Sequence, residues 1–270
     1  MVNSVDNNLA LFCDFENIAL GVRDANYAKF DINKVLERLL VKGSIVVKKA
    51  YCDWGRYKDF KATMHEASFE LIDIPHVRQS GKNSADIRMV VDALDLCYTK
   101  SHVNSFVIIS GDSDFSPLVS KLRENAKTVI GIGVKNSTSD LLINNCDEFI
   151  YYDDLIREEE QKSQSRSRSR NRTAKQKTAK PETNDRMQEG IDLALETAEA
   201  LISERGDEKL WGSMVKQALK RRRPGFNESY YGFESFSRLL EEARDRGQVE
   251  LELDERSGGY IIGSVSTRPE

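Results

Sequence analysis

Residues 106–118 read FVIISGDSDFSPL. Phe106–Ser110 (FVIIS), opened by an unbroken apolar run, has the pattern of a strand buried on both faces. Gly111 follows it, and Pro117 with Leu118 opens a helical pattern. Gly111 is expected to permit a sharp strand-to-helix turn, and Ser113 or Asp114 to cap the helix that follows. The stretch is therefore a strand, a tight turn carrying Asp112 and Asp114, and a helix.

The same unit recurs on either side. Strands are expected at Leu9–Asp14, Ile45–Asp53, Glu70–Pro75, Val129–Val134 and Glu148–Tyr151. Helices are expected at Ile32–Leu40, Lys58–Phe69, Ser84–Tyr98, Pro117–Asn125 and Thr138–Asn145. Strands that alternate with helices give an α/β fold with a mostly parallel, Rossmann-like sheet. Right-handed crossovers place every β-to-α turn along one sheet edge, and ligands bind at that edge where the strand order reverses.

Two strands end in aspartate. Asp14 closes LFCDFENI, and Asp112 with Asp114 follows the central run. If both strands are central and parallel, these carboxylates converge. Asp86, near the start of the Ser84–Tyr98 helix, can reach the same crevice. Carboxylates so close repel one another and stay ionised only with a compensating cation. Oxygen ligands of this kind suit Mg²⁺ or Mn²⁺, and such an ion serves phosphodiester hydrolysis without a nucleophilic Ser or Cys. Asn17 and Ser110 read either as groups that orient a metal-bound water or a carboxylate, or simply as turn residues. A single strand-ending Asp is more often a turn residue; two such strands, one ending in D-S-D, are harder to explain that way. Lys82, in the loop before Asp86, is placed to meet a phosphate or simply to be solvated. Asp92 lies six residues from Asp86, on another helix face, within reach of Arg88.

Other chemistries find little support. GIGVKN at residues 131–136 lacks the third glycine of a dinucleotide loop, no phosphate-binding P-loop is present, and the three histidines have no ligand spacing. The four cysteines are widely spaced in apolar surroundings and are expected to pack as small hydrophobes in a reducing cytoplasm. No secretory leader or membrane-spanning run is read from the sequence.

The net charge of −4 over 270 residues hides a segregated pattern. From Lys162 to Lys180 there are eight basic residues and no acidic one. This segment, with Arg166, Arg168, Arg170 and Arg172 alternating with Ser or Asn, is too polar to bury a core and is expected to be disordered. It reads either as a phosphate-binding arm or as a solubilising linker. Beyond it, helices are expected at Met187–Ile202, Trp211–Leu219 and Phe233–Arg246, and strands at Val249–Leu253 and Tyr260–Ile262, a winged-helix pattern. Lys220, Arg221, Arg222 and Arg223 follow its second helix and are candidates for RNA backbone contact. Trp211 and Phe236 are assigned to its core. The domain boundaries so read are 7–156, 157–185 and 186–264.

DFENI at Asp14–Ile18, GKNSADIRMVVDAL at Gly81–Leu94, ISGDSDFSPLV at Ile109–Val119 and CDEFIYYDDL at Cys146–Leu155 resemble the signature blocks of NYN domains, members of the PIN-like superfamily of metal-dependent ribonucleases. The resemblance covers residues 7–156. It implies a Rossmann-like fold and acidic metal ligands at Asp14, Asp86, Asp112 and Asp114, with Lys82 near a family lysine position but one residue out of step. Residues 210–253 followed by GGYII resemble an OST-HTH (LOTUS) winged helix, which implies RNA or protein partners. The combined expectation is a metal-dependent endoribonuclease, the alternative a non-catalytic RNA-binding or protein-interaction adaptor that keeps the acidic site.

Overall fold

The computed structural model describes residues 7–74, 83–160, 181–205, 209–254 and 257–265. The chain divides into two compact units between Glu159 and Glu160.

In the first unit the elements run β1 (Asn8–Asp14), α1 (Phe15–Asp24), α2 (Ile32–Leu40), β2 (Ser44–Cys52), α3 (Lys58–Glu66), β3 (Glu70–Asp73), α4 (Ser84–Thr99), β4 (Ser105–Ile109), α5 (Ser116–Glu124), β5 (Thr128–Gly133), α6 (Asp140–Asn145) and β6 (Glu148–Tyr151). A last helix, α7, occupies residues 152–160. The six strands form one parallel sheet in the order β3-β2-β1-β4-β5-β6. The order reverses between β1 and β4, so the switch point lies between the two strands that end beside the expected acids.

Period-two alternation divides the side chains between two cores. Leu9, Leu11 and Cys13 of β1 pack with α1, α2 and α3, through Ile18, Val22, Val35, Leu39 and Met64. Ala10 and Phe12 pack on the other face with α4, α5 and α6, through Met89, Ala93, Val119, Leu122 and Leu142. Asp14 continues the phase of Ala10 and Phe12, so it emerges on the α4 side of the sheet. Ser110 does the same after Phe106 and Ile108. All four cysteines are buried.

Helix α1 was passed over in the sequence. Phe15, Ile18 and Val22 are buried along one face of it, and Asp14 is its N-cap, accepting from the Asn17 N–H. The turn after β4 also differs from expectation. Asp112, not Ser113 or Asp114, caps it: the carboxylate accepts from the Asp114 N–H and holds a 3₁₀ turn at Ser113–Phe115. Gly111 is not among the positive-φ residues. It is required for space instead, since a Cβ there would meet the Ser137 carbonyl oxygen at 2.5 Å. Backbone cannot swing aside as a side chain can. Gly111→Ala is therefore expected to destabilise the first unit by about 1–3 kcal/mol; an unchanged urea midpoint would refute this close approach. The glycines of GIGVKN have a packing reason as well: Gly131 and Gly133 lie against the Phe149 ring.

In the second unit α8 (Pro181–Arg205), β7 (Leu210–Trp211), α9 (Gly212–Arg222), α10 (Phe236–Asp245), β8 (Val249–Leu253) and β9 (Tyr260–Val265) follow in order. The strands form an antiparallel sheet, β7-β9-β8. Ile191, Ala194, Leu195 and Ala198 of α8 pack with Val215 and Leu219 of α9 and with Phe236, Leu239, Leu240 and Ala243 of α10. Phe236 is core as expected. Trp211 is only half-buried, because it lies on the two-residue strand β7 rather than inside a helix. Of the expected linker, residues 157–160 and 181–185 are helical. The remainder, including Arg166, Arg168, Arg170 and Arg172, lies outside the described residues, as does Lys82. Among the described residues no helix is long and apolar enough to cross a membrane.

Candidate active site

The switch point brings Asp14 and the β4 turn together. Asp14 is buried, and both its oxygens are held. Oδ1 accepts from the Asn17 N–H at 3.3 Å, and Oδ2 accepts from the Ser110 hydroxyl at 2.9 Å. Ser110 Oγ in turn accepts from the Asp112 N–H at 3.2 Å. Asn17 Oδ1 accepts from the Gly111 N–H at 2.8 Å. The two loops that carry Asp14 and Asp112 are thus joined by two independent bridges. Asn17, expected among the catalytic residues, stands here as a tie between those loops.

The acids feel one another. Burial pushes the Asp14 carboxyl up from 3.8 to about 7. The charges of Asp86 and Asp112 push the same way, against the hydrogen bonds from Ser110 and Asn17. Asp86, in the first turn of α4, is also raised, first by burial, then by the charges of Asp112, Asp114 and Glu16. Asp114 is exposed and Asp112 half-buried. Among the described residues no Lys or Arg is paired with any of the four. The sequence-predicted set of Asp14, Asp86, Asp112 and Asp114 therefore gathers at one edge as a single electrostatic group.

Glu16 was missed by the sequence reading. It joins the acidic field from the first turn of α1, and Arg56 Nη1 meets its Oε1 at 3.2 Å. Nothing in the sequence links the two, because they lie on separate turns after β1 and β2. Asp92 has a different task. It accepts from the Tyr51 hydroxyl at 2.9 Å and from Arg88 Nε at 3.0 Å, so it is satisfied within the fold.

Four carboxylates without a basic partner among the described residues, two of them (Asp14 and Asp86) with raised proton affinity, are a donor set that fits a hard divalent cation. Among the described residues no three His, Cys, Asp or Glu side chains already enclose a common point, so the set is convergent but open.

Comparison with known proteins places this arrangement. The family model of the NYN domain matches residues 8–154, which hold all four acids. The chain belongs to the NYN domain family. NYN domains are PIN-like nucleases in their superfamily, which suggests a hydrolase acting on nucleic acid. An uncharacterised protein of Methanocaldococcus jannaschii is 29% identical to this NYN protein over 121 residues, 44% of this chain and 47% of that protein. This chain thus spans about half the length of that curated relative. The crystal structure of a protein of unknown function from Vibrio parahaemolyticus is similar with a TM-score of 0.51 and 26% identity, covering 57% of this chain and 98% of that one.

In the second unit Lys220, Arg221 and Arg222 form the last turn of α9, which runs past the expected end at Leu219, and Arg223 caps it. Arg222 pairs with Glu196 at 2.8 Å, while Arg221 and Arg223 are exposed. Lys220 is half-buried. Tyr231 packs on Gly190, where a Cβ would meet its ring at 2.6 Å.

Proposed function

We propose that this protein is a metal-dependent endoribonuclease that hydrolyses RNA phosphodiester bonds. The observation that carries it is the buried Asp14 carboxylate, fixed at the β1/β4 switch point and facing Asp86 and Asp112 with no basic partner among the described residues. Asp14, Asp86, Asp112 and Asp114 would hold Mg²⁺ or Mn²⁺. The ion would supply charge neutralisation and Lewis acidity at the phosphate.

The chain's own groups set the geometry. The Asn17 N–H and the Ser110 hydroxyl fix the Asp14 carboxylate in one orientation. The Ser110 bridge to the Asp112 N–H, and the Asn17 bridge to the Gly111 N–H, hold the second acid-bearing turn at a fixed distance from the first. Phe115, fully buried just after Asp114, anchors that turn in the core. Such pre-set positioning lowers the reorganisation needed at the reacting phosphate.

The second unit supports an RNA-delivery role. Three helices and the antiparallel sheet β7-β9-β8, with Gly258 at positive φ in the β8–β9 turn, agree with an OST-HTH (LOTUS) winged helix. Lys220, Arg221 and Arg223, with Lys82 and the arginines at 166, 168, 170 and 172, would contact RNA backbone without reading sequence. Arg222 would have to leave Glu196 to join them.

Cleavage of a labelled single-stranded RNA by the full chain, in Mn²⁺, Mg²⁺ or EDTA, tests the proposal. Cleavage with either metal and none in EDTA is expected. The open acid set favours one rival, an adaptor that binds RNA without turnover. Tight, salt-sensitive binding with no cleavage in any metal would establish that rival instead.

A further inference from the structure

A buried hydroxyl without a partner lies beside the acid cluster. Ser116 opens α5 and is only 6% exposed, yet its Oγ has no hydrogen-bond partner among the described residues. An unpaired buried hydroxyl costs free energy, so its retention points to a group that arrives from outside. Ser116 lines an open cleft of about 700 Å³, whose walls include Asp86, Ile87, Val91, Asp114 and Leu141.

The lining sets an apolar strip beside the polar side chains of Asn83, Ser113 and Ser120. Ile87 and Val91 are one helical turn apart on α4, and with Leu141 of α6 they are each more than half exposed. The cleft's charged lining residues, Asp86 and Asp114, are both acidic. That combination repels a phosphate inside the cleft and admits a flat, uncharged group with polar edges. Asp86 and Asp114 belong to both the cleft and the acid cluster, so an occupant of the cleft is adjacent to whatever phosphate meets the acids.

We propose that this cleft takes one unpaired nucleobase of the strand being cut. Ser116 Oγ, shielded from solvent as it stands, would turn about χ1 to hydrogen-bond the base edge, and Ile87 and Val91 would cover its face. Unpaired RNA bases are held in this way, by apolar cover and a few polar contacts to their edges. The inference rests on the proposed RNA substrate and adds to it a preference for single-stranded RNA in one fixed register.

The test uses the full chain and a set of short labelled single-stranded RNAs, each with one base replaced by an abasic ribose. Binding is read by anisotropy in EDTA, and cleavage in Mn²⁺. One abasic position is expected to weaken binding by about tenfold, and Val91→Asp to bring intact RNA down to that same level. Ser116→Ala should lower affinity for intact RNA alone and raise the melting temperature slightly, because its unpaired hydroxyl costs free energy and supports nothing in the fold. Equal affinity for every abasic RNA, or a base effect that survives Val91→Asp, would overturn the cleft. So would a dimer that Val91→Asp dissociates with the base effect intact, since the face would then join two copies. RNA cut without a base-sensitive position removes the cleft and keeps the nuclease. A base-sensitive position without cleavage keeps the cleft and removes the nuclease. No binding of any RNA removes both.

Discussion

Asp112→Asn is expected to lower the proposed metal-dependent RNA cleavage by about 100- to 1,000-fold, the effect of losing several kcal/mol of charge stabilisation at a phosphate. The physical case lies in what the substitution keeps. Asn retains the oxygen that accepts from the Asp114 N–H at 2.9 Å, so the 3₁₀ turn and the buried Phe115 should stay in place. It loses only the negative charge. Asp14→Asn is expected to act as strongly for the same reason. Melting curves that match the parent at pH 4, beside the loss of cleavage at neutral pH, would separate chemistry from folding. Full activity in both variants would remove these residues from the site.

The second large effect concerns stability, and its sign is opposite to ordinary intuition about a hydrogen-bonded acid. The folded chain raises the Asp14 carboxyl from 3.8 to about 7. Between those two values the folded state holds a proton that the unfolded state has released. Stability from this group is complete below about pH 4, declines as the pH rises, and is fully lost above about pH 7. At about 1.4 kcal/mol for each pH unit, the loss is on the order of 4 kcal/mol. Metal-free Asp14→Asn should therefore be more stable than the parent at pH 8 and similar at pH 4. Added Mn²⁺ should stabilise the parent and leave the variant nearly unmoved, since a ligand raises stability only where it binds. A variant less stable than the parent at both pH values would show that the carboxylate's hydrogen bonds outweigh its burial. The site is held at a cost in stability, as catalytic clusters commonly are.

Most of the first unit was legible in the sequence because its strands are short apolar runs bounded by turn residues. Glu148–Tyr151 and Val249–Leu253 fall where the pattern puts them. Helix α1 was not seen because the strand before it ends in an acid that invites a functional reading, whereas the Phe15, Ile18, Val22 spacing signals a helix. β7 is too short to leave any periodic trace. The acids themselves were legible as strand ends, a property of local sequence. What was not legible depends on distance between turns: the Glu16–Arg56 pair, the close approach at Gly111 and the unpaired hydroxyl of Ser116. No spacing rule encodes a hydrogen bond that is missing.

The seam between β1 and β4 also has a consequence in time. The Ser110–Asp14 bridge joins positions 96 residues apart. At about 5–20 residues per second of synthesis, roughly 5–20 s separate the appearance of the first acid from that of its partners. During that interval a growing chain can pair β1 with β2 and bury one face of the sheet, but it has no acid cluster. On the proposed function, a cutting centre split in this way would stay silent while the first part of the chain is still being made.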